Sequence, residues 1–181
     1  PDIDFIDGYM IPTLQHRFSP DVLGRRQLTR AIQKQPRKKA VNFVVNYFPV
    51  DPECELVTML QAGGYTIHDF AACPTYDEYK AMGESVANIY FHENARPAAL
   101  DKERRLEQTP LYIPCAFCYD EIRAHLQEAA YCLQLSMPDT DAYEARCEAA
   151  LERLHGEVGS THMAIDYTAT PLPLNLARLL L

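Results

Sequence analysis

The sequence predicts an α/β fold: a Rossmann-like three-layer sandwich in which a parallel sheet of about four to five strands carries helices on both faces. Three observations predict it. From Val41 onward, short β-branched or aromatic runs alternate with longer segments whose apolar residues recur at helical spacing, the rhythm of parallel strands joined by crossover helices. Ala40 to Asn46 is a nearly continuous apolar run, as a strand covered on both faces requires. The helical segments between the runs also open and close on capping residues.

Taken in order, residues 1–39 read as a connecting segment and a helix. Their basic residues Arg25, Arg26, Arg30, Lys34, Arg37, Lys38 and Lys39 suit either a solvated helix face and turn or a surface for an anionic partner. Ala40–Asn46 is the first strand and is expected to be central. Asp51-Pro52-Glu53 then supplies an N-cap, a proline at the first helical position and a first-turn acid. Leu56, Val57, Met59 and Leu60 form the buried stripe of that helix, and Gly63-Gly64 stops it. Tyr65–Phe70 is the second strand. Thr75-Tyr76-Asp77-Glu78 is a capping box that starts a short helix ending near Gly83. Val86–Phe91 is the third strand, and a charged helix from about Pro97 to Glu107 leads to the fourth, near Leu111 to Ile113. Two amphipathic helices follow, one burying Ile122, Leu126, Ala129, Ala130 and Leu133, the other Tyr143, Cys147, Ala150, Leu151 and Leu154, with Pro138-Asp139 between them. Met163–Tyr167 reads as a last strand, and Pro171–Leu181 begins a helix that ends without a cap. The expected organisation is a leading segment over 1–39, a central domain over 40–158, and the first strand and truncated helix of a following domain over 159–181.

Composition narrows the function classes. With 181 residues, 48% of them hydrophobic, the chain is large enough for a core. Residues 1–40 carry a charge of +4 and the remainder −12, an acidic balance that argues against a nucleic-acid partner. The seven glycines fall in no GxGxxG, GxxxxGK[ST] or GxSxG spacing, which excludes the common phosphate-cradling loops and the nucleophile elbow. Apolar runs are far shorter than a membrane span and no leader pattern opens the chain, so a cytoplasmic location with no membrane association is expected.

In a parallel sheet the residues just past each strand gather along one edge, where ligands bind near the reversal in strand order. These are Asn46 and Tyr47 after the first strand, Cys73 after the second, His92 and Glu93 after the third, and Cys115 and Cys118 after the fourth. His92 suits a metal ligand or an acid–base group, or a hydrogen-bonded structural histidine. Cys115-Ala116-Phe117-Cys118 at a helix entry suits a soft metal or cluster, a redox pair, or two packed cysteines; a structural zinc site needs more ligands than this CxxC supplies. No Ser/His/Asp arrangement and no glycosidase-type carboxylate pair is recognisable.

The order of parts from Ala40 to Leu181 resembles the nitrogenase component 1 family, which includes nitrogenase α and β subunits, cofactor-assembly scaffolds and dark-operative chlorophyll-type reductases. The residues that carry the resemblance are Val41-Asn42-Phe43-Val44, Pro52 to Leu60, Gly63-Gly64-Tyr65-Thr66-Ile67, Thr75-Tyr76-Asp77-Glu78, Ala87-Asn88-Ile89-Tyr90 and Thr109-Pro110-Leu111-Tyr112. Ala164-Ile165-Asp166-Tyr167-Thr168-Ala169-Thr170-Pro171 leading to Leu176-Ala177-Arg178-Leu179-Leu180 completes the set. The resemblance implies three Rossmann-like domains in the whole subunit, of which this chain is the middle one. It implies a partner component 1 subunit and an ATP-dependent iron–sulfur reductase that docks and delivers electrons to an iron–sulfur or related metallocluster, a group the fragment by itself is not expected to hold. Where nitrogenase α subunits place a cysteine ligand to the catalytic cofactor, this sequence has His92, so that thiolate is missing. The implied function is to position a metallocluster or substrate for reduction, or to serve as a related assembly scaffold. His92, Glu93, Asn46 and Tyr47 are the candidate cofactor-binding residues, and Cys73, Cys115 and Cys118 are candidate metal ligands. A different reading is a stand-alone module that binds a small ligand at the same edge.

Overall fold

The computed structural model describes residues 5–6, 19–44, 46, 48–159, 161–166, 170 and 172–180. The chain divides into two compact units, Pro1–Pro114 and Cys115–Leu181. In the first, β1 (Ala40–Phe43), β2 (Thr66–Asp69), β3 (Ala87–Tyr90) and β4 (Thr109–Tyr112) form one parallel sheet in the order β2-β1-β3-β4. The crossovers are α2 (Glu55–Ala62), α3 (Tyr76–Ala81) and α4 (Arg96–Leu106). From β1 the chain steps outward to β2, then returns past β1 to β3 and on to β4. Right-handed crossovers therefore set α2 on one face and α3 and α4 on the other. Side-chain alternation agrees: Val44 and Tyr90 are buried with Ala95, Ala98 and Ala99 at the start of α4, while Val41, Phe43 and Ile89 are buried on the opposite side of their strands. This is the expected α/β sandwich, with four strands.

The boundaries show which local signals prevailed. β1 ends at Phe43, although the Val44 N–H still donates to the Ile89 carbonyl at 2.8 Å. Helix α2 begins at Glu55, not at Pro52. Asp51 is spent on the preceding turn, its carboxylate accepting from the Glu53 N–H at 2.8 Å and its carbonyl from the Cys54 N–H at 3.2 Å. The capping box behaves as expected, Thr75 Oγ1 accepting from the Glu78 N–H at 3.2 Å. After α3 the chain tightens into a 3-10 turn, Met82–Glu84, where Gly83 is required: a Cβ there would lie 1.9 Å from the Gln33 carbonyl oxygen.

Beneath α3 and α4 lies a layer of buried amides. Asn42 Nδ2 donates to the Met82 carbonyl at 3.0 Å, to Asn88 Oδ1 at 2.9 Å and toward Gln108 Oε1 at 3.4 Å; its Oδ1 accepts from Ser85 Oγ at 2.9 Å. Gln108 Nε2 donates to the same Met82 carbonyl at 2.7 Å. The Arg37 guanidinium closes the lower edge, donating to the carbonyls of Gly83, Ser85 and Leu106. Helix α1 (Pro20–Leu28), capped by Ser19, is joined to α4 by Arg26 and Arg105, which both pair with Asp101, and Arg105 also reaches the Thr29 and Ile32 carbonyls. Lys34 on Glu107, Lys38 on Glu84 and Lys39 over the Tyr65 ring give three more of the basic cluster partners at the exposed surface.

The second unit holds α5 (Tyr119–Leu133), α6 (Thr140–Val158) and α7 (Pro173–Leu180). Leu126, Ala129, Ala130 and Leu133 of α5 are buried as expected, but no residue of α6 is buried, so its apolar stripe stays partly open. Asp139 caps α6, and α5 is tied to it by Tyr119 to Glu148 and by Arg123 to Asp141 and Glu144. The expected strand at Met163–Tyr167 does not form over 161–166, because no described segment pairs with it; Tyr167 lies outside the described residues. Among the described residues no helix is long and apolar enough to cross a membrane.

Lys102 is the exception in this core. It occupies the stripe of α4 that also carries Ala95, Ala98, Ala99 and Leu106, is 1% exposed, and makes no ion pair with a described residue. Burial, with Arg105 beside it, lowers its pKa from 10.5 to about 7. The unfolded chain therefore binds the extra proton over the range between those values, and stability rises with pH across it, by on the order of 3–5 kcal/mol. Lys102→Met is expected to raise the melting temperature at pH 7 and to flatten the rise between pH 7 and 10, measured by thermal denaturation. In the amide layer, Asn42→Leu orphans several buried partners and is expected to cost ~3 kcal/mol in denaturant titrations. By contrast Tyr131→Ala, on an exposed helix face, should stay within ~0.5 kcal/mol of the parent.

Candidate functional site

The strand order reverses between β1 and β3, so the crevice past their carboxyl ends is the switch point of this sheet. The register pairs Phe43 with Ile89. Asn46 and His92 each lie three residues past that pair, in the segments that leave the two strands. Both are among the residues expected from sequence past the strand ends; Tyr47, expected with them, lies outside the described residues.

Each is held by its neighbours. Asn46 Nδ2 donates to the Phe48 carbonyl at 2.7 Å and to Asp69 Oδ1 at 2.8 Å. Asp69, the last residue of β2, also accepts from the backbone N–H groups of Val50 and Ala71 at 2.8 and 2.9 Å. One carboxylate therefore ties the loop after β1 to the turn after β2. With both amide hydrogens used, Asn46 Oδ1 is left buried with no donor among the described residues. Beside it Phe48 is 81% exposed, an aromatic ring on the rim.

His92 follows β3 in extended backbone and precedes the 3-10 turn Glu93–Ala95, which the Ala95 N–H closes on the His92 carbonyl at 2.9 Å. Its imidazole is half-buried. Desolvation, and then the Arg25 guanidinium of α1, lower its pKa below the ordinary histidine value, which favours the neutral ring at pH 7. Arg25 is itself steadied by Asp21 at 2.9 Å. Glu93 is exposed and faces Arg96 at 3.8 Å. Behind the edge the Tyr90 and Tyr112 rings stack at 5.0 Å, and burial raises both phenol pKa values.

Cys73 lies past β2, its thiol on the Thr75 carbonyl at 3.3 Å and its pKa raised by burial. It borders a cavity of about 140 Å³ with His68, Asp69, Glu78 and Met82. Cys115 and Cys118 open the second unit, Cys115 exposed and Cys118 at the N-cap of α5. Among the described residues no three His, Cys, Asp or Glu side chains converge as a metal cage.

Sequence reasoning missed Arg25, Asp69 and Phe48. Arg25 reaches the edge only because α1 packs beside the 93–95 turn, a contact about 70 residues away in the chain with no local signature. Asp69 reads locally as a strand residue; a carboxylate closing a strand just before a turn is the signal that marks it.

Compared with protein-family models, and with curated proteins, the chain matches none. Arg25→Gln is expected to raise the His92 pKa toward its ordinary value, followed by NMR titration of the ring protons, because it removes a nearby positive charge while leaving the burial in place.

Proposed function

We propose that this chain is the central domain of a nitrogenase-like component 1 subunit, where it positions a metallocluster or substrate for reduction by electrons from an ATP-dependent iron–sulfur reductase. The observation that carries the reading is His92: a half-buried imidazole kept neutral at the switch point, at the position where the family resemblance places a cofactor ligand.

The donor chemistry fits. A neutral imidazole suits iron and neighbouring transition metals. When bound, a metallocluster would supply the electron storage and substrate reduction. This chain's residues would orient and shield it. Arg25 discourages protonation of His92, the Asp69 carboxylate fixes Asn46, and the stacked Tyr90 and Tyr112 keep water from the underside of the edge. Glu93, in the turn that follows His92, and Tyr47, named from the sequence alone, are the remaining proposed contacts.

The runner-up, a small-ligand-binding module, is favoured by Asn46 Oδ1. A buried acceptor with no donor suits a hydrogen bond from a ligand N–H or O–H after a small shift of the loop.

The two separate in the full-length protein isolated anaerobically with its partner subunit. His92→Ala is expected to lower the bound iron and change the electron paramagnetic resonance spectrum, with Cys132→Ser, on an exposed face of α5, leaving both unchanged. A metal-free parent, or identical iron and spectra in the His92 variant, would overturn the proposal.

A further inference from the structure

We propose that Cys115 and Cys118 form a reversible dithiol–disulfide pair that reacts by exchange with soluble low-molecular-weight disulfides. The inference is independent of the metallocluster reading. All six cysteines are free thiols, and this pair differs from the other four in two ways.

The first is access together with proximity. Cys115 is exposed and Cys118 half-buried, three residues apart, and the chain bends at Phe117 and Cys118 between them. An extended segment holds residues three apart at roughly 10 Å, whereas a disulfide needs Cα atoms about 4.4–6.8 Å apart; a bend brings the ends toward that range. The other thiols lack a neighbour of this kind. Cys54 is partly buried at the start of α2, Cys73 sits on the Thr75 carbonyl, Cys132 stands alone on α5, and Cys147 interacts with the Tyr119 hydroxyl.

The second is that one side of the pair is anchored and the other is free to close. Cys118 is fixed by α5: its carbonyl accepts from the Ile122 N–H at 3.0 Å, and the next residue, Tyr119, is held by Glu148 at 2.5 Å. No N–H group of Cys115–Cys118 donates to another described residue. Closing the bridge breaks no backbone ladder.

The reaction balances as ordinary thiol–disulfide exchange. The Cys115 thiolate attacks one sulfur of the soluble disulfide, forming a mixed disulfide and releasing the other half as a thiolate. The Cys118 thiolate then attacks the Cys115 sulfur, forming the Cys115–Cys118 bond and releasing the second half. The protein gives up two electrons and two protons, and the soluble disulfide becomes two thiols.

The test is to equilibrate the whole chain in glutathione buffers stepped from reduced to oxidised, quench with an alkylating agent, and map the peptides by mass spectrometry. The expected result is that the peptide spanning Cys115 and Cys118 becomes lighter by two hydrogen atoms and escapes alkylation, reversibly, before any other cysteine changes. Cys115→Ser and Cys118→Ser should each lose this species and leave the remaining thiol alkylated or bound to glutathione. Two separately modified cysteines in the parent under fully oxidising buffer, or pairing of either one with a different cysteine, would overturn the proposal.

Discussion

The Asn42 side chain is the point on which the first unit turns. It sits on the central strand β1, and its amide binds β3 through Asn88, the 3-10 turn that ends the α3 crossover through Met82, the link from that turn into β3 through Ser85, and the entry to β4 through Gln108. Amides buried this deeply tolerate one arrangement, since any slip strands several polar groups without water. A shift of β3 by one residue would also exchange the side chains buried on its two faces. The layer therefore sets the register of β1 against β3, and with it the alignment of the loops that leave their carboxyl ends. Arg37, spanning three carbonyls below the amides, reinforces the same alignment from the opposite end of the strands.

From that alignment the edge follows. Asn46 and His92 leave adjacent strands whose last pair is Phe43 with Ile89. The neighbours then tune them: Asp69 uses its two oxygens to fix the β1 and β2 loops, and α1, fastened to α4 through Asp101, delivers Arg25 beside the imidazole. Position comes from the core, and protonation state comes from burial and a helix that joins the sheet from outside. The same design leaves the second unit with its own chemistry, since the cysteine pair ahead of α5 depends on the geometry of that helix end and not on the register of the sheet.

How much of this is legible in the sequence depends on the range of the interaction. The strand run at Ala40, the capping box at Thr75 and the stop at Gly63-Gly64 act within a few residues, and each appears in the structure close to where its pattern puts it. His92 could be placed because a parallel sheet sends every strand end to one side. The early start expected for α2 fails because Asp51 caps a turn before it can cap a helix. The strand expected near Met163 fails because a strand needs a paired neighbour, and pairing is not encoded in a single segment. The basic cluster looks like one surface in the sequence, yet its partners Asp101, Glu84 and Glu107 lie some 45 to 75 residues away. Lys102 carries a visible clue, falling on the same helical spacing as Ala95, Ala98, Ala99 and Leu106, but its charge masks the pattern.

The central functional claim is a location, and a location can be measured. Crystals of the anaerobically isolated full-length complex, with anomalous diffraction data collected at the iron absorption edge, would show where the metal lies. The expected result is an anomalous peak beside the carboxyl ends of β1 and β3, within bonding distance of His92. Iron bound only in another part of the assembly, with that edge empty, would contradict it.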